Sequence, residues 1–331
     1  MSVKKIVNRK VIIVNIICLL LVILAQIGYH VQTEALVTGQ AYRRWANGRD
    51  GFAQVSCFIP ENLKFTADNI NLLRTSIKQG REEYSGDSES NENGSLVDAY
   101  SAMKNLNVKN NRVEYKADVF GVGGDFFFFH QLKLASGSYF SDENVMKDLA
   151  VLDEKLAWEL FGSVDILGQT ISINGENFKV CGVVKLESRY AAKKTNGVNP
   201  KLFVSYERLK KVLDSDLPIT CYETVMQEPN EKFTYHLIET KLGEYKEQVE
   251  IKEVSSRFRK LTLLAQLKSY WNRIIRTKPI AYPFWENALL ICESLSLACL
   301  IVKYISIVYL IGTDGLFLYR ILKSKAHNRN S

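Results

Sequence analysis

The chain has 331 residues, a formal net charge of +7 and a hydrophobic share of 47%. Its apolar residues crowd into two runs near the ends, which excludes an ordinary soluble globular protein and points to the membrane class. The excess positive charge sits largely in the terminal tails without interleaved aromatic residues, so it gives no footprint for nucleic acid.

The first apolar run, Val11 to Ile27, holds only Asn15 and Gln26 as polar interruptions. Seventeen residues at ~1.5 Å each give about 26 Å, close to the hydrocarbon thickness, and Gly28 and Tyr29 complete the span. Lys4, Lys5, Arg9 and Lys10 precede it and favour a cytoplasmic N-terminus. A cleaved signal peptide is the alternative. The run is longer than the apolar core of such peptides, and the small-residue stretch Thr38 to Ala41 lies too far on. A retained membrane anchor is therefore expected.

Between Tyr29 and Tyr282 the pattern is mixed. Ile70, Leu73 and Ile77 fall at helical spacing and predict a helix over 67–78. The acidic stretch from Gly80 to Gly94 reads as a loop. Val113 to Val122 alternates and reads as a strand. Gly123 and Gly124 permit a sharp turn, with at least one expected at positive φ. Asp125 is positioned to cap a short helix carrying Phe126 to Phe129, in which Phe126 and Phe129 face inward and Phe127 or Phe128 is more exposed. A capped helical turn is expected over Ser141 to Met146, a short strand over Leu149 to Leu152, and a helix from Glu154 to Phe161 stopped by Gly162. Gly168 opens a hairpin whose two alternating runs are joined by Asn174–Gly175, the strongest short-range hairpin signal. A strand over Lys201 to Ser205 and a helix over Ser205 to Leu213 come next, and a helix with a basic face is expected from Ser255 to Thr277.

The second apolar run begins after Pro283 and reaches Gly312, with Tyr282 and Trp285 at its start as interfacial aromatic residues. Arg320, Lys323, Lys325 and Arg329 in the tail again favour the cytoplasm, so an even number of crossings is expected. Lys303 and the Gly312–Gly315 stretch argue for one long tilted helix rather than a third crossing at 304–318. Glu286 and Glu293, seven residues apart, share a face of this helix. A carboxylate near mid-span costs about 2.5–3.5 kcal/mol unless neutralised or paired. Two readings stay open: a bond to the chain's own first helix, through Asn15 or Gln26, or a contact with a partner subunit.

No catalytic or cofactor chemistry is legible. His30, His130, His236 and His327 fall at no metal-ligand spacing. There is no nucleophile elbow and no phosphate-binding loop, and Phe126 stands where a dinucleotide fingerprint needs its third glycine. The calcium-loop near miss at Glu89–Gly94 lacks the twelfth-position glutamate, which is Tyr100. Cys57, Cys181 and Cys221 in the middle region show no disulfide spacing. No enzyme, metal or cofactor is expected.

From Gly123–Gly124–Asp125–Phe126 the sequence resembles the periplasmic core domain of MacB-like permeases, in the MacB/FtsX group of ABC transporters. The resemblance runs through Leu134 to Ser141, with Gly137 at its centre. It continues through Ala150 to Leu152, Leu160–Phe161–Gly162 and Ile166 to Gln169 around Gly168, and ends at Phe178 to Val184 around Gly182. It implies an α+β extracytoplasmic domain with an inserted strand-rich part, placed near 113–186, between transmembrane helices. The expected layout is a cytoplasmic N-terminus (1–10), a first span (11–29), the core domain (30–282), a second span (283–311) and a cytoplasmic tail (312–331). In the family such a domain is moved by an ATPase, for export or for mechanotransmission. The family carries two further helices after the second span, and this sequence is expected to lack them. The expectation is a permease-like or accessory subunit at the cell membrane, in contact with lipid and partnered by a full permease, an ABC ATPase or a second copy of itself. The alternative is a passive membrane-anchored binding or scaffold protein.

Overall fold

The computed structural model describes residues 9–47, 51–85, 96–142, 144–214, 216–265, 267 and 280–327. The chain divides into two units. One comprises Met1–Ala35, Phe258–Lys268 and Leu290–Ser331, and the other comprises Leu36–Arg257 and Ser269–Leu289.

The helical unit holds α1 (Arg9–Thr33) and most of a final helix of 44 residues, Phe284–His327. Both are long and apolar enough to cross a membrane. The final helix runs without a break through Gly312–Gly315. Its backbone hydrogen bonds are satisfied internally, so two glycines in an apolar stretch do not stop it. Two polar pairs set the antiparallel register of the helices. Thr313 Oγ1 donates to Asn15 Oδ1 at 3.2 Å, and Lys303 Nζ donates to Gln26 Oε1 at 2.6 Å. Gly28 lies where a Cβ would come within 2.9 Å of Cys299 Sγ, so a glycine there admits the close approach. Tyr29, Leu263, Leu297 and Leu300 pack together beyond these pairs.

The second unit is built on one sheet. Its strands, among the described residues, are β1 (Phe52–Phe58), β2 (Val97–Lys109), β3 (Glu114–Gly124), β4 (Lys133–Gly137), β5 (Leu149–Asp153), β6 (Thr170–Ile173), β7 (Glu176–Lys185), β8 (Lys201–Ser205), β9 (Cys221–Gln227) and β10 (Glu250–Glu253). They are ordered β10-β1-β9-β2-β3-β8-β5-β7-β4, and β6 bridges β7 and the far end of β2. β2, β3, β8, β5, β7 and β6 therefore close into a ring. Closure removes exposed strand edges. The ring takes in β2 and β8 as well as the expected 113–186 segment, because the short strands of that segment need both partners to close.

Helices α2 (Ala41–Ala46), α3 (Ala67–Ser85), α4 (Phe126–Phe129), α5 (Glu154–Phe161), α6 (Tyr190–Thr195), α7 (Tyr206–Leu213) and α8 (Phe233–Lys241) complete the unit, and the final helix is α9. α3 continues seven residues past the expected end. Gly80, in its interior, lies where a Cβ would meet Leu237 at 2.6 Å and Lys241 at 2.8 Å, so α8 can pack against it. At 141–146 the expected helical turn is a hydrogen-bonded turn instead, in which Asn144 Oδ1 accepts from Ser141 N and Asn144 N donates to Ser141 O. The helix expected over 255–277 is present at residues 260–265 and 267, and 266 and 268–277 lie outside the described residues.

Strand alternation separates two cores. Val55 and Cys57 point to one that lies under α3, α7 and α8 and fills the ring, together with Leu152, Ile171, Ile173, Phe178 and Val180. Phe52 and Phe58 point to the other, which gathers Phe120, Phe126, Phe129, Phe203, Ile280 and Trp285.

Asp153 shows the cost of building on buried strand ends. It caps α5 by accepting from Leu156 N at 2.7 Å, and it accepts from Lys201 N at 2.8 Å. Burial nevertheless pushes its carboxyl up to about 6, against those bonds and the Lys201 charge. The folded value exceeds that of an unfolded aspartate, so protonation favours the fold. The contribution is complete below about pH 4 and is lost as pH rises through about 6, amounting to roughly 2–3 kcal/mol. Asp153→Asn keeps an oxygen for the cap and is expected to flatten the dependence of the urea midpoint on pH between about 4 and 6.5. An unchanged slope counts against this origin.

Candidate functional site

The second core receives the start of α9. Pro283 stands just before the helix, where a missing N–H is harmless. Asn287 N donates to Pro283 O at 3.1 Å, and Asn287 Nδ2 donates to Tyr282 O at 3.0 Å, fixing the first turn. The next residues then project into the domain. Trp285 is buried against Phe126 (5.6 Å between ring centroids), Phe120 (5.6 Å) and His130 (4.2 Å).

Glu286 is buried in a clasp. Arg257 Nη1 donates to its Oε2 and Nη2 to its Oε1, both at 2.9 Å, and Lys252 Nζ donates to Oε1 at 2.8 Å. A two-pronged guanidinium–carboxylate pair fixes direction as well as distance. Lys252 also lies over the Tyr282 ring, 4.4 Å from its centroid, and Tyr282 Oη donates to Glu250. The clasp thus ties the first turn of α9 to β10 and to the segment just after it.

A second polar chain lies beside it. β1 and β9 are antiparallel with Ser56 opposite Glu223, so both side chains leave the same face of the sheet. Ser56 Oγ donates to Glu223 Oε1 at 3.0 Å, and the other carboxylate oxygen meets His130 Nε2 at 2.5 Å. The far ring nitrogen of His130 lies 3.3 Å from Thr38 Oγ1. All but Thr38 are buried. The segment after α1, the helix α4, two strands and the first turn of α9 therefore meet at one histidine. A cavity of about 30 Å³ adjoins it, lined by Thr38, His130, Glu187, Asn196 and Trp285 among others. Trp285 Nε1 and Asn196 Oδ1 are buried without partners, and burial raises the Glu187 carboxyl. The space suits about one water molecule, not a transported substrate.

The residues singled out in the sequence fall in three places. Gly124 has φ +65 and Gly123 packs against Tyr100, so the expected turn forms where β3 hands over to α4. Phe126, Phe127 and Phe129 are buried and Phe128 is half-buried. Asp125 does not cap α4 through its side chain; its carbonyl accepts from Phe128 N and Phe129 N instead. Its own amide donates to Asp98 O at 2.8 Å, tying the turn to β2, the antiparallel neighbour of β3. Gly137 and Gly182 are opposite each other in β4 and β7, where backbone approaches backbone. Gly162 ends α5 behind Phe161, and Gly168 N donates to Val180 O. These residues shape the domain and touch no cavity described above.

Glu286 and Glu293 are both inside the chain. Glu286 spends its oxygens on Arg257 and Lys252, and Glu293 is buried and not without a partner. Asn15 and Gln26 are engaged by Thr313 and Lys303. Ala288, Leu289, Ser296 and Leu297, on the same side of the helix, are buried as well. The sequence does not single out Arg257, Lys252, His130 and Glu223 as a group. The one available signal is Glu286 itself, which demands a cation, but its partners come from segments about 30 residues away.

A model of the MacB-like periplasmic core domain family matches residues 57–259. Over 84 residues, 25% of this chain, the sequence is 33% identical to the macrolide export ATP-binding/permease protein MacB of Chromobacterium violaceum. Over 87 residues, 26% of this chain, it is 28% identical to the uncharacterized ABC transporter permease YknZ of Bacillus subtilis. The matched stretches cover 13% and 22% of those relatives' lengths. Among solved structures, the periplasmic region of MacB from Actinobacillus actinomycetemcomitans aligns with a TM-score of 0.44 at 15% identity, covering 68% of this chain and 94% of that one. The extracellular domain of YknZ from Gram-positive bacteria aligns at 0.41 and 17% identity, covering 60% and 99%. With the family model matched over more than half its length, the chain belongs to the MacB-like periplasmic core domain family.

Proposed function

We propose that this chain is a membrane-anchored, permease-like subunit of an ABC transporter that couples a partner ATPase to its extracytoplasmic domain. The observation that carries the reading is the clasp at the start of α9. The helix that gives Trp285 and Glu286 to the domain core continues unbroken through an apolar stretch. A displacement of that helix would therefore be felt first at Arg257, Lys252 and His130. The family is one of permease domains rather than of enzymes, so the ATP hydrolysis is assigned to the partner.

In this reading α1 and α9 both cross the membrane, with both chain ends in the cytoplasm. The Asn15–Thr313 and Gln26–Lys303 pairs set Val11–Tyr29 level with about residues 299–317 of α9. The crossing part of α9 would then begin well after Pro283, and Glu286 and Glu293 would stand outside the hydrocarbon. This spares both carboxylates the cost of a lipid surrounding.

The test is twofold. The tagged chain, solubilised from native membranes, is expected to bring down an ABC-type ATPase subunit identified by mass spectrometry. Single cysteines introduced at Asn91 and Ser331 are expected to label with an impermeant maleimide from outside only at Asn91. Labelling at both, or recovery of the chain with no ATPase subunit, overturns the reading.

A further inference from the structure

We propose that His130 is a proton-operated catch on the first turn of α9. The side chain is buried, and its ring centroid lies 4.5 Å from that of Phe126 and 4.2 Å from that of Trp285. Nε2 meets Glu223 Oε2 at 2.5 Å, so a proton lies between them whatever the charge on the ring. Nδ1, 3.3 Å from Thr38 Oγ1, is then the atom that gains or loses the second proton. Bare, it accepts from the Thr38 hydroxyl. Protonated, it donates to Thr38 Oγ1, and that hydroxyl turns its hydrogen elsewhere. The adjoining cavity, lined by Thr38, Asn196 and Glu187, offers acceptors: the Glu187 carboxyl and Asn196 Oδ1, which is buried without a partner. Both proton states are therefore satisfied inside the core, a provision that a permanently charged pair does not need.

The two states hold α9 differently. An imidazolium beside the indole of Trp285 adds a cation–π attraction that a neutral ring lacks, and desolvation strengthens it. It also forms a charge pair with Glu223, whose other oxygen is held by Ser56 Oγ. Trp285 brings the first turn of α9 into this core, so proton uptake tightens that turn and proton release loosens it. The charged and titratable groups around the ring come from several elements. Glu223 lies on β9, and Cys221, two residues earlier in the same core, has its thiol pushed well up by burial and stays neutral. Glu187 precedes α6, and burial raises its carboxyl. Arg44 of α2 donates to Phe128 O and Phe129 O, at the end of α4 just before the ring. On α9, Glu286 follows Trp285 but is matched by Arg257 and Lys252.

The catch deepens the coupling reading, but its test needs no ATPase, so the two fail separately. The purified full chain is followed from about pH 8 to about pH 5, the range in which histidine changes charge. Trp285 emission, taken as the difference between the parent and Trp285→Phe, is expected to fall on acidification, since imidazolium quenches indole more strongly than imidazole does. Amide exchange at Asn287 and Ala288, corrected for its intrinsic pH dependence, is read in the Asp153→Asn background to remove that residue's titration. It is expected to slow roughly two- to thirtyfold, the span of one cation–π contact. His130→Gln keeps a donor for Glu223 and should abolish both changes. Glu223→Gln leaves the histidine in place and should move both to lower pH by about one unit or more, because the charge that favours the imidazolium is gone. Thr38→Val, a milder change, should move them the same way, because the protonated Nδ1 loses its acceptor. A parent with no pH dependence at either readout, an emission change that survives His130→Gln, or an unmoved midpoint in both Glu223→Gln and Thr38→Val overturns the proposal.

Discussion

Glu286→Leu is expected to destabilise the protein by about 3–5 kcal/mol, the usual cost of removing one partner from a buried ion pair. The change makes α9 more apolar, so membrane insertion should not suffer. The loss arises at Arg257, which is buried and would keep its charge while losing the two-pronged carboxylate that now accepts from Nη1 and Nη2. Lys252 is better placed, since Glu250 lies 3.4 Å from its ammonium. The double variant Arg257→Met/Glu286→Leu should recover most of the loss, because a buried ion pair and a well-packed apolar pair of similar size differ little in stability. Unfolding of the full chain in detergent, read as a urea midpoint, distinguishes these outcomes. A Glu286→Leu midpoint equal to the parent's would mean that the clasp holds nothing. If the double variant is stable yet no longer responds to the partner ATPase, the clasp serves coupling rather than folding.

An element is legible in the sequence where its periodicity survives. α5 is legible to the residue, because Asp153 caps it, Leu156, Ala157 and Leu160 form one buried face, and Gly162 closes it in the left-handed conformation. The β6–β7 hairpin is legible because Asn174 and Gly175 both take positive φ, as the tight turn requires. β1 and β9 leave no trace. β1 is buried throughout and β9 nearly so, and their buried positions include Gln54, Ser56, Glu223 and Thr224, so neither alternation nor a clean apolar run appears. β2 is hidden for another reason: it runs from the buried sheet out to solvent, and its pattern changes midway. The site is the least legible part, since its members come from β1, β9, β10, α4 and α9, and no local spacing links them. Glu293 looks costly only if the crossing starts at Pro283. The pairs Asn15–Thr313 and Gln26–Lys303, which shift that start in the proposed topology, join residues nearly 300 positions apart in the sequence.

Gly124→Ala is expected to cost about 2–5 kcal/mol, and more than Gly123→Ala, because two effects combine at Gly124. Its φ of +65 lies in the left-handed region, where a Cβ costs about 1–2 kcal/mol. The new Cβ would also stand 2.4 Å from Asp98 O, a backbone atom held by strand pairing, and overpacking of this kind adds about 1–3 kcal/mol. At Gly123 the backbone is not left-handed, and the obstacle is the ring of Tyr100, 2.2 Å away at its Cζ, a side chain that can shift. The turn also aims the helix after it. Gly124 N donates to Asp142 Oδ2 at 2.6 Å, and the next residues place Phe126 and His130 against Trp285. Gly124→Ala should therefore disturb the start of α9 as well as β2 and β3. The readout is the urea midpoint together with the fluorescence of Trp285, assigned by comparison with Trp285→Phe. A destabilised variant with unchanged Trp285 emission would confine the damage to the strands. A variant as stable as the parent would show that the turn tolerates a side chain, and with it the reading of Gly124 as a steric requirement would fail.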